Sequence, residues 1–133
     1  MLVMVLGLPV LPALAQSQAQ AKAKKKSADS VFRDRTRLSK ELISLRDSID
    51  LELDVLAQHG DSISGPGHVE RIRRKLRNEK TKVEVVLADV ANSTRETWDY
   101  FVREKASNTI IQVAYDFHQV KKDLSKQALH RHL

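Results

Sequence analysis

The 133-residue chain has no cysteine, and only three prolines, four glycines and six aromatic residues. Without cysteine there is no disulfide scaffold, no thiolate metal site and no thiol nucleophile. The scarcity of proline and glycine excludes collagen-like and Pro/Gly-rich chains. It also argues against an all-β sandwich, which needs frequent turns. Charge of one sign does not dominate either. Lys plus Arg number 23 against 17 for Asp plus Glu, a balance of +6. The length suits one domain.

The first charge is Lys22, and twelve of the first fifteen residues are apolar. That run is shorter than the roughly 20 apolar residues that span a bilayer. It ends in Ala13-Leu14-Ala15, with small residues where a signal peptidase reads. The pattern predicts a secretory signal over 1–15, Gln16 as the first mature residue, and export to a periplasmic or secreted location. A positively charged start is lacking. The other reading is a buried apolar segment.

Residues 16–30 contain alanine as their only apolar type. Such a segment cannot bury enough surface to offset its ordering entropy, so a flexible tether is expected. Lys22, Lys24, Lys25 and Lys26 against Asp29 place half the net charge there. These lysines are candidates for contact with an anionic surface.

From Val31 the apolar spacing becomes helical. Leu38, Leu42, Leu45, Ile49, Leu53 and Leu56 recur every three or four residues, predicting a helix over about 30–58. A breaker follows over 59–66, where the segment His59–Gly67 holds three of the four glycines and Pro66. The rhythm resumes in Val69, Ile72, Leu76, Val83, Leu87, Val90, Thr94, Trp98 and Phe101, with Lys80 in the slot between Leu76 and Val83. A second helix over about 67–105 is expected. Ile110, Val113, Phe117, Val120, Leu124 and Ala128 carry a last helical segment over about 108–128, after a weak break at 106–109.

Two helices joined by a short loop become antiparallel neighbours. The fold class is therefore all-α: a long antiparallel helical hairpin over 31–133, with a third segment continuous with helix 2 or folded back. Charges support the pairing. Asp47, Asp50, Glu52 and Asp54 end helix 1, and Arg71, Arg73, Arg74, Lys75, Arg77, Lys80 and Lys82 begin helix 2. If residue i faces about 126 minus i, opposite charges flank the seam as in a coiled coil.

Helix 1 is then exhausted near residue 95. The remainder keeps an apolar stripe and holds five of the six aromatics: Trp98, Tyr100, Phe101, Tyr115 and Phe117. Trp98, Phe101, Phe117 and Val120 are the candidate association surface, to be filled by a third-helix fold-back, a second copy or another helical protein. Insertion at a membrane interface is the competing use.

Catalytic patterns are thin. His130 and His132 are two apart, whereas ligands on one helical face stand three or four apart, and His59, His68 and His118 are scattered. Asp47, Asp50 and Asp54 share helical spacing, but general acid–base work needs a pocket that shifts a pKa. No Ser-His-Asp signature or phosphate loop is present. We expect no enzyme activity, catalytic residue, metal or cofactor. The run Arg71–Arg77 could contact phosphates, although nucleic acid is not an expected partner of an exported chain.

The segment Ala91-Asn-Ser-Thr-Arg-Glu-Thr-Trp-Asp-Tyr-Phe101, with Leu45-Arg-Asp-Ser-Ile-Asp50 before it, resembles small exported bacterial coiled-coil proteins. Some of these are stress-related or apolipoprotein-like. The resemblance spans about 38–125 and implies a helical hairpin that acts by association, with no catalytic residues to carry over. This chain differs from them in being basic, and in its Tyr100-Phe101 and Ile110-Ile111 pairs.

Overall fold

The computed structural model describes the backbone of residues 2–63 and 65–132, and the side chains of 30–60, 62 and 65–128. The expected signal sequence (1–15) and tether (16–30), with Lys22, Lys24, Lys25 and Lys26, fall on side chains outside the described residues, Ser30 apart. The elements are α1 (Leu2–Ile63), α2 (Pro66–Asn92), a single turn α3 (Arg95–Thr97), a π-helical turn (Trp98–Val102) and α4 (Arg103–His132). No strand occurs among the described residues. The chain divides into two units, Met1–Asp34 and Arg35–Leu133. The first contains only the N-terminal part of α1. The second contains the whole described core.

That core is three-helical. Leu38, Leu42, Ile49 and Leu56 come from α1, and Val69, Ile72, Leu76, Val83, Val86 and Val90 from α2. Trp98, Val102, Ala106, Val113, Val120 and Leu124 complete it. Gly60 beside Val69, Arg73 reaching the Leu56 carbonyl, Lys80 on Asp50 and Arg35 on the Val90 carbonyl fix α1 and α2 as antiparallel neighbours. The register agrees closely with the one expected from the loop position.

The third segment folds back. Lys105 Nζ lies 2.7 Å from Asp89 Oδ2, and His68 Nε2 lies 3.3 Å from Asp123 Oδ2. As the number rises on α2 it falls on α4, so these two are antiparallel as well. His68 Nε2 makes no hydrogen bond in this contact.

Four boundaries differ from the sequence reading. Helix α1 begins at Leu2, ahead of the start expected near 30 after a flexible tether, and it continues to Ile63, beyond the expected end at 58. The interhelix break lies between Ile63 and Pro66; Gly65 there is extended (φ −63°, ψ 156°) and accepts hydrogen bonds from the His68 and Val69 amides, with Pro66 opening α2. Proline suits that position, because the first amide of a helix lacks an intrahelical acceptor in any case. The second break lies at Ser93–Thr94 and not at 106–109, which is continuous helix.

The Ser93–Thr94 turn needs neither glycine nor proline. Ser93 and Thr94 are both extended, with ψ of 139° and 170°. The Ser93 hydroxyl donates to the Val90 carbonyl at 2.7 Å, satisfying a free end of α2. Thr94 then starts the next helix with a capping box. Its hydroxyl accepts from the Thr97 amide at 3.2 Å, while the Thr97 hydroxyl accepts from the Thr94 amide at 2.8 Å. Side-chain oxygens thus replace the helical partners that the backbone loses.

The π turn decides which aromatic enters the core. Its i→i+5 bonding widens the helix, so each residue advances through a smaller angle. Trp98 and Val102 point inward, while Phe101 swings out and is 48% exposed. The expected inward face of Trp98, Phe101 and Lys105 is thereby corrected to Trp98, Val102 and Ala106.

Candidate interaction surface

In α2 the buried positions are 69, 72, 76, 79, 83, 86 and 90. This strict three-four alternation is the 3.5-residue period of a coiled-coil seam. It corrects two expected positions. The slot between Leu76 and Val83 belongs to Glu79, not Lys80. Glu79 is 3% exposed, and one carboxylate oxygen receives a hydrogen bond from Lys82 Nζ at 3.0 Å. Its other oxygen is buried with no hydrogen-bond partner. Counting the heptad through the slot would have found it. Val86 likewise takes the core place expected of Leu87, which is half-buried.

Lys80 lies on the α1 flank. Its ammonium is 2.7 Å from Asp50 and 3.8 Å from Glu84. The hydrogen bond to Asp50 raises the Lys80 pKa above its ordinary value, against a smaller desolvation effect. Arg73 and Arg77 line a shallow groove there with Leu53, Asp54 and Ala57. Opposite charges therefore flank the α1–α2 seam at these residues. Arg71 and Lys75 do not belong to that flank. They share a side of α2 with His68 and Asp89, the two residues that reach α4.

The expected association residues part company. Trp98 is fully buried and Val120 is buried, both inside the three-helix core. Their partner is this chain's own fold. Phe117 is half-buried under Lys121, whose ammonium lies 5.7 Å from the ring centroid. Phe101 remains at the surface, edge-on to Tyr100 at 6.4 Å.

Four of the other exposed apolar groups form two helical stripes. On α1, Ile43 and Leu51 stand two turns apart and bound an open groove with Lys40, Ser44, Asp47 and Ser48. On α4, Ile111 and Tyr115 stand one turn apart, 68% and 63% exposed, opposite the buried Val113 side. Neither stripe stands out in the residue spacing, although Tyr115 and the Ile110-Ile111 pair do, because each stripe lies on a helix whose stronger apolar face dominates the periodicity.

Of the carboxylates at helical spacing, Asp50 holds Lys80, Asp54 borders Arg73 and Arg77, and Asp47 lies 3.4 Å from Arg46. His59 and His118 are exposed, while the side chains of His130 and His132 lie outside the described residues. Among the described residues, no three His, Asp or Glu side chains come together as a metal site, and no helix is long and apolar enough to cross a membrane. No family model, curated protein or solved structure matches the chain.

Proposed function

We propose that this chain is a non-enzymatic, exported helical protein that acts by helix–helix association in the cell envelope. The observation that carries the association is the α1 stripe of Ile43 and Leu51. Large apolar side chains there face solvent although the chain's own core is already complete. Ser44 and Ser48 flank the stripe in the same open groove and leave room for the ridge of another helix. Lys40 and Asp47 lie within it, opposite charges one heptad apart, so a second copy running antiparallel can pair them reciprocally, as a two-fold interface requires. Export rests on the apolar start and on Ala13-Leu14-Ala15.

Analytical ultracentrifugation tests the association. The chain should sediment as a dimer, and Ile43→Asp with Leu51→Asp should return it to a monomer with unchanged helical content. A monomeric parent, or a dimer indifferent to those substitutions, removes this reading. Export is tested by mass spectrometry of the protein from its native envelope, where Gln16 should be the first residue.

A further inference from the structure

We infer that the side of the bundle formed by the outer stripe of α4 and the adjoining flank of α2 is a docking face for an anionic lipid surface. The stripe runs Ile111, Tyr115, Lys122 and Lys126, all exposed. Its spacing keeps all four on the side of α4 away from the core. Two apolar groups lead into two cations along one line.

Helix α2 adds to the charge. His68 contacts Asp123 and Asp89 contacts Lys105, so the α2 residues one and two turns beyond His68 lie level with the 115–122 stretch of α4. Those residues are Arg71 and Lys75, both exposed and on the α4-facing flank. Of the nearby acids, Glu70 lies 3.1 Å from Arg73 and Asp123 lies 3.3 Å from His68, Asp116 is half-buried, and Glu104, one heptad before Ile111, is exposed at the start of the stripe.

The mixture of groups points to lipid and not to a soluble polyanion. A hydrophilic polymer gains from Arg71, Lys75, Lys122 and Lys126 but leaves Ile111 and Tyr115 in water. At a lipid surface both kinds of group are satisfied. Lysine and arginine stems lie along the apolar layer with their charges among phosphates. Tyrosine favours the headgroup level and isoleucine the acyl boundary. The face lies apart from the Ile43–Leu51 stripe, so either surface can be lost without the other.

The test uses the full chain carrying Tyr115→Trp, whose emission reports this face. The buried Trp98 contributes a constant background and, with circular dichroism, confirms folding. Vesicles of phosphatidylcholine with phosphatidylglycerol should shift the position-115 emission to the blue, and added salt should reverse it. Vesicles of phosphatidylcholine alone should not shift it. Each cation near an anionic surface contributes about fivefold to binding. Arg71→Gln, Lys122→Gln and Lys126→Gln together should therefore weaken the response roughly a hundredfold. Ile43→Asp with Leu51→Asp should leave it intact. The proposal is overturned if the chain sediments with vesicles while the emission at 115 stays unchanged, which would locate binding elsewhere. It is overturned equally if the triple variant responds like the parent, or if inorganic polyphosphate shifts the emission and vesicles do not.

Discussion

The guanidinium of Arg35 lies over the ring of Trp98, 6.0 Å from its centroid, while one of its nitrogens donates to the Val90 carbonyl at 3.1 Å. One side chain of α1 thus ties down both the end of α2 and the first residue of the π turn. Trp98 is fully buried beneath it, and its indole N–H has no hydrogen-bond partner. The corner where the chain reverses is held by packing and a cation–π contact, not by the indole hydrogen bond.

Trp98→Ala should therefore be costly. Removing a buried indole costs about 3–5 kcal/mol through lost burial and the cavity left behind. Arg35→Met should cost about 1–2 kcal/mol, since it removes the cation over the ring and a hydrogen bond to a carbonyl. Urea unfolding with matched m-values measures both. A Trp98→Ala loss below about 1 kcal/mol would show that the corner is not packed as described.

Glu79→Leu should stabilise the bundle. The carboxylate occupies a heptad core position with one oxygen unpaired, and Lys80 on Asp50 places it in the same layer as Ile49. Replacing a buried ionic group by an apolar one of similar size is neutral or gains about 1–4 kcal/mol. Lys82 is half-exposed and keeps its hydration once its partner is gone. A lowered urea midpoint for Glu79→Leu would contradict this account. Glu79 would also be a device for register, as polar core residues are in other coiled coils; in that case Glu79→Leu should broaden the amide spectrum even as it raises the midpoint.

Gly60 should resist substitution. A Cβ there would stand 2.8 Å from Val69 Cγ1, and Val69 is a stiff, buried β-branched side chain. Alanine normally improves a helix interior by about 1 kcal/mol over glycine. At this position the clash should reverse the sign, and Gly60→Ala should lower the thermal midpoint. Gly60→Ala with Val69→Ala should show favourable coupling in a double-mutant cycle, because the second change removes the clash.

The Lys80–Asp50 pair should make stability fall at alkaline pH. The Lys80 pKa is raised in the folded state, chiefly by the hydrogen bond to Asp50. A raised lysine pKa contributes stability that is fully present below the unfolded value of 10.5 and is lost as pH rises through the folded value. The unfolding free energy should decline above about pH 10.5 in the parent more than in Lys80→Met. The effect is small, since water and salt screen an ion pair at the surface. Equal decline in both proteins would assign the alkaline loss to other groups.

Much of the architecture was legible in residue spacing. Leu38, Leu42, Ile49 and Leu56 on α1, and Val69, Ile72, Leu76, Val83 and Val90 on α2, are core because a 3.6-residue period aligns them on one face. The glycine- and proline-bearing segment around Gly65 marked the first reversal and set the register to within about one turn, although the spacing put Lys80 in the core slot and the structure puts it on Asp50. The second reversal was hidden because Ser93 and Thr94 break the helix through their hydroxyls, in a context where the same residues can stay helical. Only the satisfied carbonyl of Val90 and the Thr94–Thr97 box distinguish the two outcomes.

The sequence by itself therefore determined that this protein is all-helical, where its first hairpin turns, and which aromatic-rich segment lacks a partner in that hairpin. Tertiary structure decided who the partner is. Trp98 and Val120 are core because α4 returns against α2, and the π turn selects Val102 over Phe101. It also decided the surface. Periodicity identifies the face of a helix that is apolar enough to bury, but a bundle has room for one such face per helix. The secondary stripes of Ile43 with Leu51 and of Ile111 with Tyr115 acquire meaning only once packing has shown which face each helix spends on its own core.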